Sequence, residues 1–145
     1  MENNTVLSQI GNTPLVKLKQ ASELTGCNIY GKAEYFNPGE SVKDRAALWI
    51  IKDAEKKGLI DKNTTIIETT SGNTGFSLSM VSMVKGYDCI VAVSSKSSPD
   101  KIDMLKSMGA KVGLLNQKTE KCIFKMKVLY KIIFVRSVLR QLLPF

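Results

Sequence analysis

Between Thr64 and Leu115 short apolar runs alternate with longer segments of helical period, a pattern that restricts the fold more than any other feature of the chain. Thr64 to Glu68, Cys89 to Val93 and Lys111 to Leu115 each have strand length. Phe76, Leu78, Met80, Val81, Met83 and Val84 follow the turn Thr70-Ser71-Gly72-Asn73-Thr74-Gly75 and stop near Gly86. Ile102, Leu105 and Met108 keep a helical period after Ser98 as the N-cap and Pro99 at the first helical position, with Gly109 to close it. An earlier unit has the same grammar. Ile29 to Tyr35 reads as a strand ended by Asn37-Pro38-Gly39, and Ala46, Ala47, Leu48, Ile50, Ile51 and Ala54 then give one helix face, closed by Lys56, Lys57 and Gly58. Ser41 stands at the N-cap position of that helix, with Asp44 as an imperfect capping box. Strands separated by single helices imply parallel β-α-β units, so the expected class is α/β with a doubly wound parallel sheet.

Composition bounds the rest. The 145 residues are 43% hydrophobic and 23% charged, which suits one globular unit and not a disordered chain. No run approaches the length needed to span a bilayer, and Met1 to Ile10 lacks the layout of a secretory leader. Cys27, Cys89 and Cys122 form no C-x-x-C and histidine is absent, which argues against a disulfide framework, a metal site or a His-based triad. A reduced, cytoplasmic setting is the expectation.

The formal charge of +8 is concentrated at one end: residues 118–145 hold 7 basic and 1 acidic side chains. That placement argues against a nucleic-acid-binding body. From Lys118 to Phe145 the chain has no glycine, no turn punctuation and no clean period. It reads as an anomalous basic and apolar tail, out of frame or truncated, with a membrane-surface segment as the competing reading.

Two polar turns precede helices, where open parallel sheets bind their ligands. Thr70 to Gly75 offers free backbone N–H groups, hydroxyls and an amide, with glycines that permit close approach to a carboxylate or phosphate. Asn37 to Arg45 places Lys43 in the first helical turn, where the dipole disfavours a cation, a setting suited to a Schiff-base amine. Composition alone leaves the bland readings open: an ordinary strand-to-helix turn for the first, and a solvated Lys43-Asp44-Arg45 charge cluster for the second. No dinucleotide or Walker glycine signature is present.

Ile10-Gly11-Asn12-Thr13-Pro14-Leu15-Val16, then Asn37-Pro38-Gly39-Glu40-Ser41-Val42-Lys43-Asp44-Arg45, then Thr70-Ser71-Gly72-Asn73-Thr74-Gly75 are three motifs in order. Together they resemble the pyridoxal-phosphate enzymes of fold type II, in the cysteine synthase and cystathionine β-synthase branch, over about residues 7–115. Asp100 to Ala110 looks nearer the cystathionine-synthase-like members. The resemblance implies a tryptophan-synthase-β-like architecture, present here only in part, and pyridoxal 5′-phosphate as cofactor. It makes Lys43 the catalytic lysine that joins the cofactor through a Schiff base and later removes and returns the Cα proton. Asn73 is matched to the cofactor's 3′-oxygen, and Thr70, Ser71, Gly72, Asn73 and Thr74 to the substrate α-carboxylate.

The implied reaction is β-replacement on serine or O-acetylserine, with a thiol or sulfide as nucleophile, giving cysteine or cystathionine. Family members are about twice as long and commonly form homodimers. Their later glycine-rich phosphate loop has no counterpart in this sequence. Residues 1–117 are therefore expected to be the N-terminal half of such a catalytic domain, inactive as it stands, with residues 118–145 as the aberrant tail. Strands near Pro14 to Leu18 and Ile29 to Tyr35 are expected to expose apolar surface and open edges. A non-catalytic partner of an intact paralogue, or a membrane-associated fragment, are the alternatives.

Overall fold

The computed structural model describes residues 4–70, 72–115 and 132–134. Two sheets are present among them. β1 (Leu15–Lys17) and β2 (Tyr30–Lys32) form an antiparallel pair, linked by α1 (Lys19–Thr25). α2 (Lys43–Lys56) leads into β3 (Thr65–Thr69), α3 (Asn73–Lys85), β4 (Asp88–Ser94), α4 (Pro99–Ser107) and β5 (Lys111–Leu115). β6 (Ile132–Phe134) completes a second sheet of order β5-β4-β3-β6, parallel throughout.

The alternation read from the sequence becomes two successive crossovers, β3-α3-β4 and β4-α4-β5. Both step the same way across the sheet, so right-handed connections put α3 and α4 on one face. There Ile66, Val91 and Val93 of the sheet meet Leu78 and Val81 of α3 and Ile51 of α2, all fully buried or nearly so. Leu105 brings α4 into the same cluster. Gly75 lets α3 approach closely, because a Cβ there would lie 2.9 Å from Thr70 Cγ2 and 3.1 Å from Val91 Cγ1.

Several local expectations are corrected. The strand expected over Ile29 to Tyr35 is only Tyr30–Lys32, since Glu34–Phe36 forms a 3-10 turn. It pairs antiparallel with β1, so this opening sheet is not part of the parallel one. α1 carries no marked apolar period; its buried residue is Ser22, whose hydroxyl bonds the Leu18 carbonyl at 2.8 Å. Ser98 precedes α4 but makes no side-chain cap. Asp44 does not close a capping box, because it is bonded elsewhere, as described below. β6 arises within the segment Lys118 to Phe145, where the pattern marked no strand; the rest of that segment, with Cys122, lies outside the described residues.

Leu15, Val16, Leu18 and Tyr30 are exposed, as expected for the opening strands. On the opposite side of the economy of burial, Leu78 has no accessible surface. Glu40 is a non-glycine residue in the left-handed region, at φ 57°. Leu78→Ala is expected to lower unfolding stability by about 2–5 kcal/mol. Glu40→Gly should raise it by up to about 1 kcal/mol by removing the left-handed penalty on a residue with a Cβ. Urea titration followed by circular dichroism measures both.

Candidate active site

The segment before α2 is held by side chains rather than by regular structure. Asn37, Pro38, Gly39 and Glu40 form a turn closed by the Glu40 N–H on the Asn37 carbonyl at 2.8 Å. Asn37 is buried, and its Oδ1 accepts the Gly11 N–H at 2.8 Å. Its Nδ2 donates to the Glu34 carbonyl and carboxylate, at 2.8 and 2.7 Å, and to the Ser41 carbonyl at 3.1 Å. Arg45 donates through Nε and Nη2 to the two Glu34 carboxylate oxygens, at 2.9 and 3.0 Å, and through Nη2 to Thr13 Oγ1 at 3.0 Å. Thr13 Oγ1 in turn donates to Glu34 at 3.0 Å, and Lys32 Nζ donates to the Thr13 carbonyl. The first motif is thus tied to the second by the Gly11 N–H on the Asn37 amide and by Arg45 on the Thr13 hydroxyl, with Glu34 bridging Thr13 to its two-pronged ion pair with Arg45.

Hydrogen bonding from Arg45 holds the Glu34 carboxyl down at about 2, against an opposing push from burial, with Asn37 and Thr13 adding to the lowering. The same ion pair raises the Arg45 guanidinium above its ordinary value.

Lys43 is the first residue of α2, and Ser41 Oγ accepts its backbone N–H at 3.1 Å. Its side chain is exposed, and among the described residues its amine has no hydrogen-bond or ion-pair partner. Asp44, next in sequence, has no accessible surface. Its Oδ2 accepts the Gly39 N–H and its Oδ1 accepts the Ser77 hydroxyl, both at 2.5 Å. Ser77 lies one turn into α3 from Asn73, so the N-termini of α2 and α3 sit side by side.

At the start of α3, Thr70 donates its N–H to the Ala92 carbonyl at 3.1 Å, and its Oγ1 accepts the Gly72 N–H at 3.2 Å. Gly72 and Asn73 are exposed and Thr74 is half-buried. A Cβ on Gly72 would touch only Thr70 Oγ1, at 3.8 Å, so the turn is open to close approach. The N–H groups of Asn73 and Thr74 have no carbonyl one turn earlier within the helix, leaving them for an anion. Ser71 lies outside the described residues. An unpaired amine beside an anion-accepting helix start fits a cofactor that carries an aldehyde and a substrate that carries a carboxylate.

The description "Pyridoxal-phosphate dependent enzyme" is that of a family matching residues 6–131. The chain belongs to this family. A cysteine synthase of Dictyostelium discoideum is 47% identical over 113 residues, 78% of this chain and 30% of the relative. A cystathionine beta-synthase of Apis mellifera is 50% identical over 109 residues, 74% of this chain and 22% of the relative. A solved cysteine synthase from Entamoeba histolytica superposes with a TM-score of 0.83 at 34% identity, covering 92% of this chain and 43% of that one. The chain therefore spans less than half the length of each. Both enzyme names occur at similar identity, so identity does not separate the two branches.

For a pyridoxal-phosphate dependent enzyme, the structure brings Lys43 and Asn73 to adjacent helix starts, with Thr70, Gly72 and Thr74 in the second turn. Asp44 and Arg45 are not a solvated cluster: one is fully buried and the other is paired. Sequence reasoning gave no individual role to Thr13, Glu34 or Ser77, and read Asn37 only as a turn residue and Asp44 only as a capping-box acid. Only the Gly11-Asn12-Thr13-Pro14 motif hinted at the first of these. Glu34→Gln should flatten acid unfolding. In the native chain the stability from Glu34 is complete above pH 4.5, its unfolded value, and is lost as pH falls toward about 2. Circular dichroism across that window checks the difference.

Proposed function

We propose that this chain forms part of an enzyme that performs pyridoxal-phosphate-dependent β-replacement on serine or O-acetylserine, giving cysteine or cystathionine. The observation that carries the reading is the unpaired Lys43 amine at a helix start, next to the open N-terminal turn of α3. Relatives named cysteine synthase and cystathionine beta-synthase support the sulfur amino-acid chemistry.

When bound, the cofactor supplies an electron sink for charge developing at the substrate Cα. Lys43 Nζ would hold the cofactor covalently and, as a free amine, would be the base that takes the Cα proton. Asn73 would orient the cofactor through the oxygen on its ring. Thr70, Ser71, Gly72, Asn73 and Thr74 receive the substrate carboxylate, with the α3 dipole favouring the negative charge. A thiol or sulfide is the incoming nucleophile. The apolar side chains exposed on β1 and β2 support contact with further protein surface, of the same enzyme or a second subunit.

The test is to incubate the chain with pyridoxal phosphate, reduce with borohydride, and map the modified lysine by peptide mass spectrometry. Lys43 should carry the pyridoxyl group in preference to exposed Lys56, Lys57 and Lys62, and Lys43→Ala should bring that selective labelling to background. Even labelling of all exposed lysines would remove the proposal.

A further inference from the structure

Asp44 is a buried carboxylate with no basic partner among the described residues. Its satisfaction comes from two neutral donors on two different elements: the Gly39 N–H in the turn before α2, and the Ser77 hydroxyl in α3. It lies in the first turn of α2, where the helix dipole favours an anion. Hydrogen bonds to charged groups are the stronger kind, and a buried charge that loses one is costly.

The surroundings are built to keep this arrangement. A Cβ on Gly39 would lie 2.3 Å from Asp44 Oδ1, so the turn packs directly onto the carboxylate. On the other side of that turn Asn37 is fixed by Gly11, Glu34 and Ser41. The chain between Gly39 and Asp44 is therefore anchored at both ends, and Lys43 lies inside it. Ser77 sits one turn from Asn73 on the same face of α3.

We propose that Asp44 is a positioning residue: its carboxylate clamps the turn before α2 to α3, fixing the backbone of Lys43 against the turn Thr70 to Thr74. The purpose of this clamp rests on the function proposed above, since it sets the separation between the cofactor-bearing amine and the carboxylate-binding turn. Asp44 has no accessible surface, so it presents no atom to a bound ligand. Its effect passes through the backbone of its neighbour, and proximity at this level governs how readily the amine is captured.

The experiment uses the full chain as wild type, Asp44→Asn and Ser77→Ala. Amide hydrogen exchange is read without cofactor at Gly39 and Lys43, with Leu78 to Val81 of α3 as the internal reference. Borohydride-trapped pyridoxal phosphate on Lys43 is then read relative to that on Lys62. In both variants, exchange at Gly39 and Lys43 should rise about tenfold while the reference segment stays protected, and selective trapping at Lys43 should fall by a similar factor. Ser77→Ala carries the test alone if Asp44→Asn does not fold. Unchanged exchange at Gly39 and Lys43 overturns the proposal. So does faster exchange with undiminished trapping, which would make the contact structural only. A wild-type chain with no selective trapping at Lys43 would remove the proposed function, while the exchange comparison would still decide whether Asp44 fixes that backbone.

Discussion

A carboxylate without accessible surface has to be satisfied inside the fold or it drives the structure apart. Asp44 meets that demand with a backbone N–H from the turn before α2 and a hydroxyl from α3, each 2.5 Å away. Several other features follow from this pair of bonds. Residue 39 has no room for a side chain, α2 and α3 share an N-terminal level, and Lys43 is left at the surface while its neighbour is buried. Around this point the apolar cluster of Ile51, Ile66, Leu78 and Val91 supplies the bulk of the burial. It holds the helices against the sheet, and the polar contact decides their register at one end.

A second polar assembly fixes the other side of the turn. Glu34 and Arg45 are each partly exposed, and an ion pair of that kind usually contributes little by itself. Here the pair is two-pronged and shares Thr13 and Asn37, so three stretches of chain, around Thr13, Glu34 to Asn37 and Arg45, meet on one carboxylate. The value of such a network lies in orientation more than in net stability. It joins the small antiparallel sheet to the start of α2.

The element pattern was legible in the sequence where local rules govern. Lys111–Leu115 is the strand that its run of residues indicates, and α2 and α3 stop where Gly58 and Gly86 mark their ends. Legibility failed where hydrogen bonds run between distant residues. From Ser41 as N-cap, Asp44 reads as a capping-box acid, yet the cap is Val42 and the partner of Asp44 is Ser77, 33 residues away. β2 is cut short because Glu34 is turned toward Arg45, and β6 pairs with β3 from a segment whose composition shows no strand period.

For the candidate site, the sequence by itself determined the chemistry available: a lysine at a helix start, a glycine- and hydroxyl-containing turn, and three ordered motifs that carry the family resemblance. Those are properties of residue type and short spacing, which local geometry converts into structure without outside help. The tertiary structure alone decided that the two turns converge, that Asp44 is buried while Lys43 is exposed, and that Thr13 and Glu34 belong to the same assembly as Arg45. Contacts of this kind join residues with no fixed sequence separation. They exist only once the helices have packed on the sheet and desolvated the groups that form them.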